Sequence, residues 1–528
     1  MRQWCVLTVL CLALMLLGVD QTVVNVALPE LQREMGLTAA QLQWIVGAYT
    51  LTLAAGVLAA GNWGDRRGRR RALVAGLWVC VAASVLGGVA DDASLVVLAR
   101  GLMGAGAALI MPATLSILVH VFTSPGRQRL AVTLWATVAG VGVLVGPLVG
   151  GWLLERYSWR ACFWGNVPLA LLALAGVTAV VPACRQERAP GADPVGLLLS
   201  SGGLAAVVWS LIQAPSHGWS SGLVLGVAAG GVVLLAAMVR WESRARSPML
   251  PPALFRDRGY AVAVGALSLL FFTLVGATFA LTFHLQGLLR LSPLEAGTTM
   301  VLGGLGVACG GALAAVAARW VTPRHLIVAG LVLCGGSFLV LAGVSAAADD
   351  VRLRLFLWLV GLGTGLTGGP ATSLIMGAVP PGTAGVGAAV NDAVRSVGST
   401  SGVAAMGSVF NTVYSSAMRE RAPRGAAGGP GARDHLLSAL AGARRLTAEA
   451  ALAGGPRTPA GARRLRAADA LVHDAQAAFL AALHHIAYLS AALCLTGSCA
   501  AAFLLWERGR VREALAPAPA VTEPGRLR

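Results

Sequence analysis

Lysine is absent from this 528-residue chain, so all 40 basic residues are arginine. A Walker loop sets a lysine against the phosphates, and a Schiff base needs a lysine amine. An ATP-driven pump with its own nucleotide motif and a pyridoxal enzyme are therefore excluded. Charge is also scarce: 12% of residues are charged, against about 25% in soluble globular domains. Aromatic residues make up only 6%. The nine cysteines lie in or at the ends of apolar segments and form no C-x-x-C pair. They read as small buried hydrophobes, not as disulfides or metal ligands. No cofactor and no metal are expected.

What remains is apolar. Hydrophobic residues reach 56%, glycines number 67, and mean hydropathy is +0.73. So few charges cannot cover so much apolar surface in water, so the natural solvent is a bilayer. The glycine content suits close helix packing inside it. A disordered or coiled-coil chain is excluded. The charge balance is +17. The arginines sit between apolar spans, so they speak for membrane topology and not for a nucleic-acid partner.

Stretches free of Asp, Glu and Arg run over 3–19, 35–64, 72–90, 101–126, 130–154, 161–184, 195–239, 259–289, 296–318, 325–348, 355–391, 396–418 and 475–506. One helix crosses the roughly 30 Å core with about 20 residues. The stretch 195–239 would make a helix of roughly 65 Å, and it carries a break at Ala214-Pro215-Ser216-His217-Gly218-Trp219. Splitting it gives fourteen helices. Residues 3–19 resemble a signal peptide, but apolar character resumes after Asp20 and no A-x-A site follows, so they read as a retained first helix. That helix should continue to Ala27 and end at Pro29.

Arginine placement orients the chain. With the N-terminus cytoplasmic, the short inside loops hold 16 arginines and the short outside loops 6. Both termini are then cytoplasmic. Residues 419–474 lie outside and still carry ten arginines. Long loops near about 60 residues escape the charge rule. This segment reads as a partly helical, partly disordered insert, with a gate or partner surface as the alternative. The polar tail 507–528 reads as disordered.

Several motifs exceed this background. Gly61-Asn62-Trp63-Gly64-Asp65-Arg66-Arg67-Gly68-Arg69-Arg70-Arg71 joins helices 2 and 3. At its plainest it is a positive-inside anchor. An acid at a helix end beside arginines can also latch one conformation and break in another. Arg100, just inside the fourth span, is expensive in lipid and normally faces a cavity or partner; the alternative is snorkelling to the nearby surface. Gly142, Gly146 and Gly150 recur at i, i+4 and i+8 in helix 5, a flat face for another helix, with Pro147 permitting a bend. Asp20 in helix 1 is the clearest intramembrane acid; Asp392 and Glu155 lie nearer helix ends. A carboxyl sequestered from water can bind a proton near neutral pH. The bland alternative for Asp20 is a structural hydrogen bond to Asn25, Gln21 or a neighbouring helix.

The G-x-x-x-D-R-x-G-R-R-R loop between helices 2 and 3 resembles the hallmark of the major facilitator superfamily. G-x-x-x-G-P-x-x-G-G, ending at Gly151, resembles the antiporter motif of its exporters. D-x-T-x-V-N-V-A-L-P from Asp20 resembles the helix-1 motif of the fourteen-helix drug:proton antiporters. Leu285-Gln286 through Gly297, and Gly385 through Gly398, extend the match along nearly the whole chain apart from 416–478 and the tail. Met111-Pro112-Ala113-Thr114 and Gly369-Pro370-Ala371-Thr372 suggest two related halves.

This resemblance implies an all-α integral membrane protein of fourteen transmembrane helices: two six-helix bundles plus two inserted central helices. The N-terminal bundle would be 1–184, the linker with helices 7 and 8 would be 185–258, and the C-terminal bundle 259–528, including the external loop 416–478. The expected function is proton-coupled export of small hydrophobic drugs or antibiotics across a bacterial cytoplasmic membrane by alternating access. The expected partners are substrate, protons and the bilayer, and the working unit is a monomer. Asp20 and Arg100 would couple protons. Gly61, Asp65, Arg66, Gly68, Arg69 and Arg70 would form the latch. Gly142, Gly146, Pro147, Gly150 and Gly151 would form the antiporter motif, and Asn25, Gln286, Asn391 and Arg395 would line the substrate cavity. Two rival functions stay open: export of an endogenous metabolite, lipid or siderophore, and a membrane-embedded transferase. The second lacks a visible acid, histidine or metal cluster. Asp91-Asp92, Asp349-Asp350 and His484-His485 do not extend to one.

Overall fold

A computed structural model describes residues 2–182, 193–245, 252–345, 351–378, 384–421, 436–453 and 455–514. Those residues form helices and connecting turns, with no strand among them. The α-helices are α1 Arg2–Met35, α2 Ala39–Arg67, α3 Arg69–Gly88, α4 Ala93–Val121, α5 Pro125–Arg156, α6 Arg160–Trp164, α7 Asn166–Val180, α8 Pro194–His217 and α9 Gly222–Glu242. After these come α10 Arg258–Phe283, α11 Pro293–Ala317, α12 Pro323–Leu341, α13 Val351–Ala378, α14 Ala384–Arg421, α15 Leu436–Leu452 and α16 Pro459–Ala514. Among the described residues, ten segments are long and apolar enough to cross a membrane. In lipid every backbone N–H and C=O must be satisfied within the segment, and the helix does this.

The helix ends are written in the sequence. Thr38 and Gln41 form a reciprocal capping box at the start of α2, and Ser292 and Glu295 another at the start of α11, where Pro293 takes the first helical position. The Ser292-Pro293-Leu294-Glu295 stretch thus has a local reason for its residues. Asp92 caps α4 through Ser94 and Leu95, while Asp91 pairs with Arg160 at 3.2 Å. The break anticipated after Ala214 falls at Gly218, whose φ of +92° admits glycine readily.

Two boundaries differ from expectation. Helix α1 does not stop at Pro29 but runs through it to Met35. A proline deletes one backbone bond, and the buried flank of Val26, Ala27, Leu28 and Leu31 holds the helix across that gap. Helix α16 starts at Pro459, well before the apolar stretch at 475. Its early turns pair with α15, so much of the arginine-rich insert is a helical hairpin. Leu436, Ala439, Ala443, Leu446, Ala468 and Leu471 are buried within the main core cluster. Helix α16 also runs on to Ala514, into the tail from 507 that was expected to be disordered; residues 422–435 and 515–528 lie outside the described residues.

The two halves repeat one packing pattern. The pairs α1·α5, α2·α4, α3·α4, α3·α7 and α1·α7 have counterparts in α10·α14, α11·α13, α12·α13, α12·α16 and α10·α16. The repeat reaches atomic detail. Gly76 and Gly106 approach so closely that a Cβ on Gly106 would meet Cys80 Sγ at 2.6 Å; a Cβ on Gly363 would meet Cys334 Sγ at 2.6 Å, beside Gly330. Between the halves, α2 packs on α14 and α5 on α11. Helix α8 lies along the α2–α14 seam, with Leu204, Val208 and Ile212 against Ala54 and Ala404. Helix α9 packs on α8 and turns Val232 and Val233 outward at 61% and 65% exposure. Such faces suit lipid, not water.

Candidate functional site

Asp20 sits midway along α1 and is 3% exposed. Its carboxylate Oδ2 accepts from Arg100 Nη1 of α4 at 3.1 Å, and Oδ1 accepts from Asn166 Nδ2 of α7 at 2.8 Å. Arg100, 2% exposed, spends its other donors locally. Nη1 also reaches the Asp20 carbonyl at 3.4 Å, and Nε donates to the Ile45 carbonyl of α2 at 3.3 Å. Its guanidinium lies 4.5 Å from the centre of the Tyr49 ring. Four helices of the first half therefore converge on one ion pair. The snorkelling alternative for Arg100 fails on this burial. The hydrogen bonds of Asp20 run to neighbouring helices, as the bland alternative allowed, and not to Gln21 or Asn25.

Asn166 was not among the residues picked out by sequence, although a lone amide inside the apolar stretch 161–184 was the available signal. Tyr49 of α2 was not among them either. In the second half, the glycine pairing that matches Gly106 with Gly363 sets Leu357 opposite Arg100. The second half therefore carries no charge at the position that matches Arg100.

Helix α5 seats the acid-bearing helix. A Cβ on Gly142 would meet the Met15 carbonyl at 3.0 Å, on Gly146 the Thr22 Oγ1 at 2.0 Å and the Val19 carbonyl at 2.9 Å, and on Gly150 the Val23 carbonyl at 2.9 Å. All three glycines face the α1 segment that carries Asp20. Thr22 Oγ1 donates to the Val143 carbonyl at 3.2 Å. Gly151 faces the other half: its Cβ would meet the Pro293 carbonyl at 2.5 Å, and a Cβ on Gly297 would meet the Pro147 carbonyl at 2.3 Å. The glycine-proline run thus touches α1 on one face and α11 on the other.

The loop between α2 and α3 is a single residue, Gly68, with φ of +111°. Arg69 donates to the Ser116 carbonyl of α4 at 3.1 Å, and Arg70 to the Thr178 carbonyl of α7 at 2.6 Å. Gly61 lies against Pro112, and Arg66 is exposed. The side chain of Asp65 lies outside the described residues.

The four candidate cavity residues do not gather in one place. Gln286, on a π-helical turn at His284–Leu288, donates to the Val26 carbonyl of α1 at 2.8 Å and so ties the halves together. Asn391 accepts from Thr372 at 2.9 Å. The Arg395 guanidinium lies 4.9 Å from the Phe271 ring centre, and its buried Nε donates no hydrogen bond to any described residue. Gly398 sits beside Ser268 and Gly402 beside Phe272, so Gln286 and Asn391 lie toward opposite ends of the α10–α14 pair. Asn25 is half-buried on α1. His484 Nε2 meets the Val344 carbonyl at 2.9 Å, and no group of three or more metal-ligating residues exists among the described residues.

Residues 10–403 match the Major Facilitator Superfamily. The chain belongs to that superfamily. As a Major Facilitator Superfamily protein it is a multi-pass, all-helical membrane transporter. It is 37% identical to the puromycin resistance protein of Streptomyces alboniger, over 77% of this chain and 82% of that one. It is 34% identical to the multidrug efflux pump LfrA of Mycolicibacterium smegmatis, over 79% and 82%. A crystal structure of an auto-inhibited POT family peptide transporter superposes with a TM-score of 0.62, covering 99% of both chains at 15% identity. That last likeness is one of fold alone.

Proposed function

We propose that this chain is a fourteen-helix, proton-coupled antiporter that exports small hydrophobic drugs or antibiotics. The fourteen spans are α1 to α5, α6 with α7, then α8 to α14, and α16. Residues 1–184 and 259–528 are the two rocking bundles, and the linker 185–258 carries the inserted pair. Both termini are cytoplasmic, which puts the junction of α1 and α2 outside. The Gln286–Val26 and Gly151–Pro293 contacts then close the outer end, and the state is inward-facing.

The observation that carries this reading is the isolated Asp20–Arg100–Asn166 cluster on the helix that contacts both α5 and the second bundle. Protonation of Asp20 removes the negative partner of Arg100 where both side chains are at most 4% exposed. The two protonation states then favour different helix arrangements, which is the coupling that alternating access requires. Loss of the Arg100 contact frees α1 to move on the glycine face of α5. Arg69 and Arg70 hold the inner ends of α3, α4 and α7 as one body while the bundles rock. One proton driven by 100 mV supplies about 2.3 kcal/mol, roughly 40-fold accumulation.

Relatives with drug-resistance and efflux names support drugs as cargo over an endogenous metabolite. Uptake into energised inverted vesicles of a panel including puromycin tests this. Uptake abolished by a protonophore supports the proposal. Uptake indifferent to the protonophore, or confined to lipids and siderophores, refutes it.

A further inference from the structure

Gln43 is a buried polar side chain between the bundles to which the coupling scheme gives no task. It projects from α2 toward α14, where a Cβ on Gly407 would meet its Nε2 at 2.7 Å. Gln43 is 1% exposed, and its Oε1 accepts no hydrogen bond from any described residue.

Four phenyl rings share its surroundings. Phe279 and Phe283 of α10, Phe410 of α14 and Phe479 of α16 line a common cavity with Gln43, and Leu436 at the head of the α15–α16 hairpin roofs it. The Phe410 and Phe479 rings meet edge-on at 5.0 Å, and Phe279 and Phe283 at 5.5 Å. The cavity measures about 40 Å³, whereas sites for drug-sized ligands span some 300–1,000 Å³. It is shut in this state. One wall comes from α1 and α2 and the other from α10, α14, α15 and α16, so it widens when the bundles part at this end.

We infer that this cavity is the collapsed form of an outer binding site for an aromatic molecule carrying an N–H or O–H donor. The rings supply stacking surfaces for a flat ligand, and Gln43 Oε1, buried and without a described partner, supplies an acceptor that selects for a donor, beside the amides of Gln32 and Asn411 in the same lining. The site deepens the export reading and rests on it: cargo leaving the centre of the transporter pauses here beneath the hairpin before release. The arginine-rich insert acquires a role as the roof of this exit site.

The test uses the full chain in lipid nanodiscs, titrated with 1-aminoanthracene and with its N,N-dimethyl counterpart, which has no donor. Empty nanodiscs subtract partition into lipid. Wild type binds 1-aminoanthracene saturably. Gln43→Leu weakens it about tenfold, the ~1.4 kcal/mol expected of one hydrogen bond, and leaves the dimethyl compound within about twofold. Phe410→Ala weakens both. Absence of saturable binding to wild type, or an unchanged ratio of the two affinities in Gln43→Leu, overturns the site. Drug-driven proton flux is read separately on the same samples: its absence with probe binding intact refutes antiport and not this site, and its presence with no Gln43 effect refutes this site alone.

Discussion

Substituting Arg100 by leucine removes a cation that faces Asp20 at 3.1 Å with both side chains at most 4% exposed. The carboxylate keeps the Asn166 amide but loses its only described cationic partner. Two helix carbonyls, of Asp20 and Ile45, lose the arginine's hydrogen bond in the same step. Breaking a buried ion pair from one side costs about 3–5 kcal/mol. Asp20→Asn leaves the arginine with its two carbonyls and the Tyr49 face, so its cost is smaller. In the double variant the uncompensated charge disappears altogether. A thermodynamic cycle of SDS-driven unfolding in mixed micelles should therefore give a coupling energy above about 1.5 kcal/mol, with the double variant more stable than Arg100→Leu alone. Additive losses, with coupling under about 0.5 kcal/mol, would show that the two groups do not depend on each other, and the proposed switch would have no energetic basis.

Other perturbations follow from the same contacts. Gly146→Ala puts a methyl 2.0 Å from Thr22 Oγ1 and should cost ~1–3 kcal/mol by overpacking while slowing export; Gly311→Ala, with nothing within 4 Å, should leave stability and vesicle uptake unchanged. Gly68→Ala forces a side chain to φ of +111°, at about 1–3 kcal/mol, and should lower the unfolding midpoint measured by intrinsic fluorescence. The Thr400–Thr50 hydrogen bond at 2.6 Å and the Gln286–Val26 bond join the bundles. Thr400→Val with Gln286→Leu should remove about 1 kcal/mol per bond and shift the population outward; spin-label distances between the outer ends of α1 and α11 should lengthen.

The fold was legible because lipid makes strict demands. Long apolar runs must be helical, the arginines mark the turns between them, and the glycines of α5 fall at a spacing that only one helix face can produce. Asp20 and Arg100 stood out for the same reason: a charge inside an apolar run needs a partner. Their coupling was expected only through the family resemblance, because the two residues lie 80 positions apart and only the packing of α1 on α4 joins them. Asn166 stayed hidden because a single amide near a proline reads as a turn until its neighbour is known. The helical hairpin at 436–475 was half-hidden: its alanines and arginines fit a loop as well as a helix, and the buried stripe from Leu436 to Leu446 shows only when α16 is laid beside it. Gln286, Asn391 and Arg395 were grouped by resemblance alone, and the α10–α14 pair spreads them along its length.

The central claim is that the proton rides on Asp20. Full-length protein in proteoliposomes, with a trapped pH dye, reads proton movement when an exported drug is added. Wild type should move protons on drug addition, and Asp20→Asn should move none while it still inserts, folds and binds the drug. Equal drug-driven proton flux in Asp20→Asn and wild type would contradict the account.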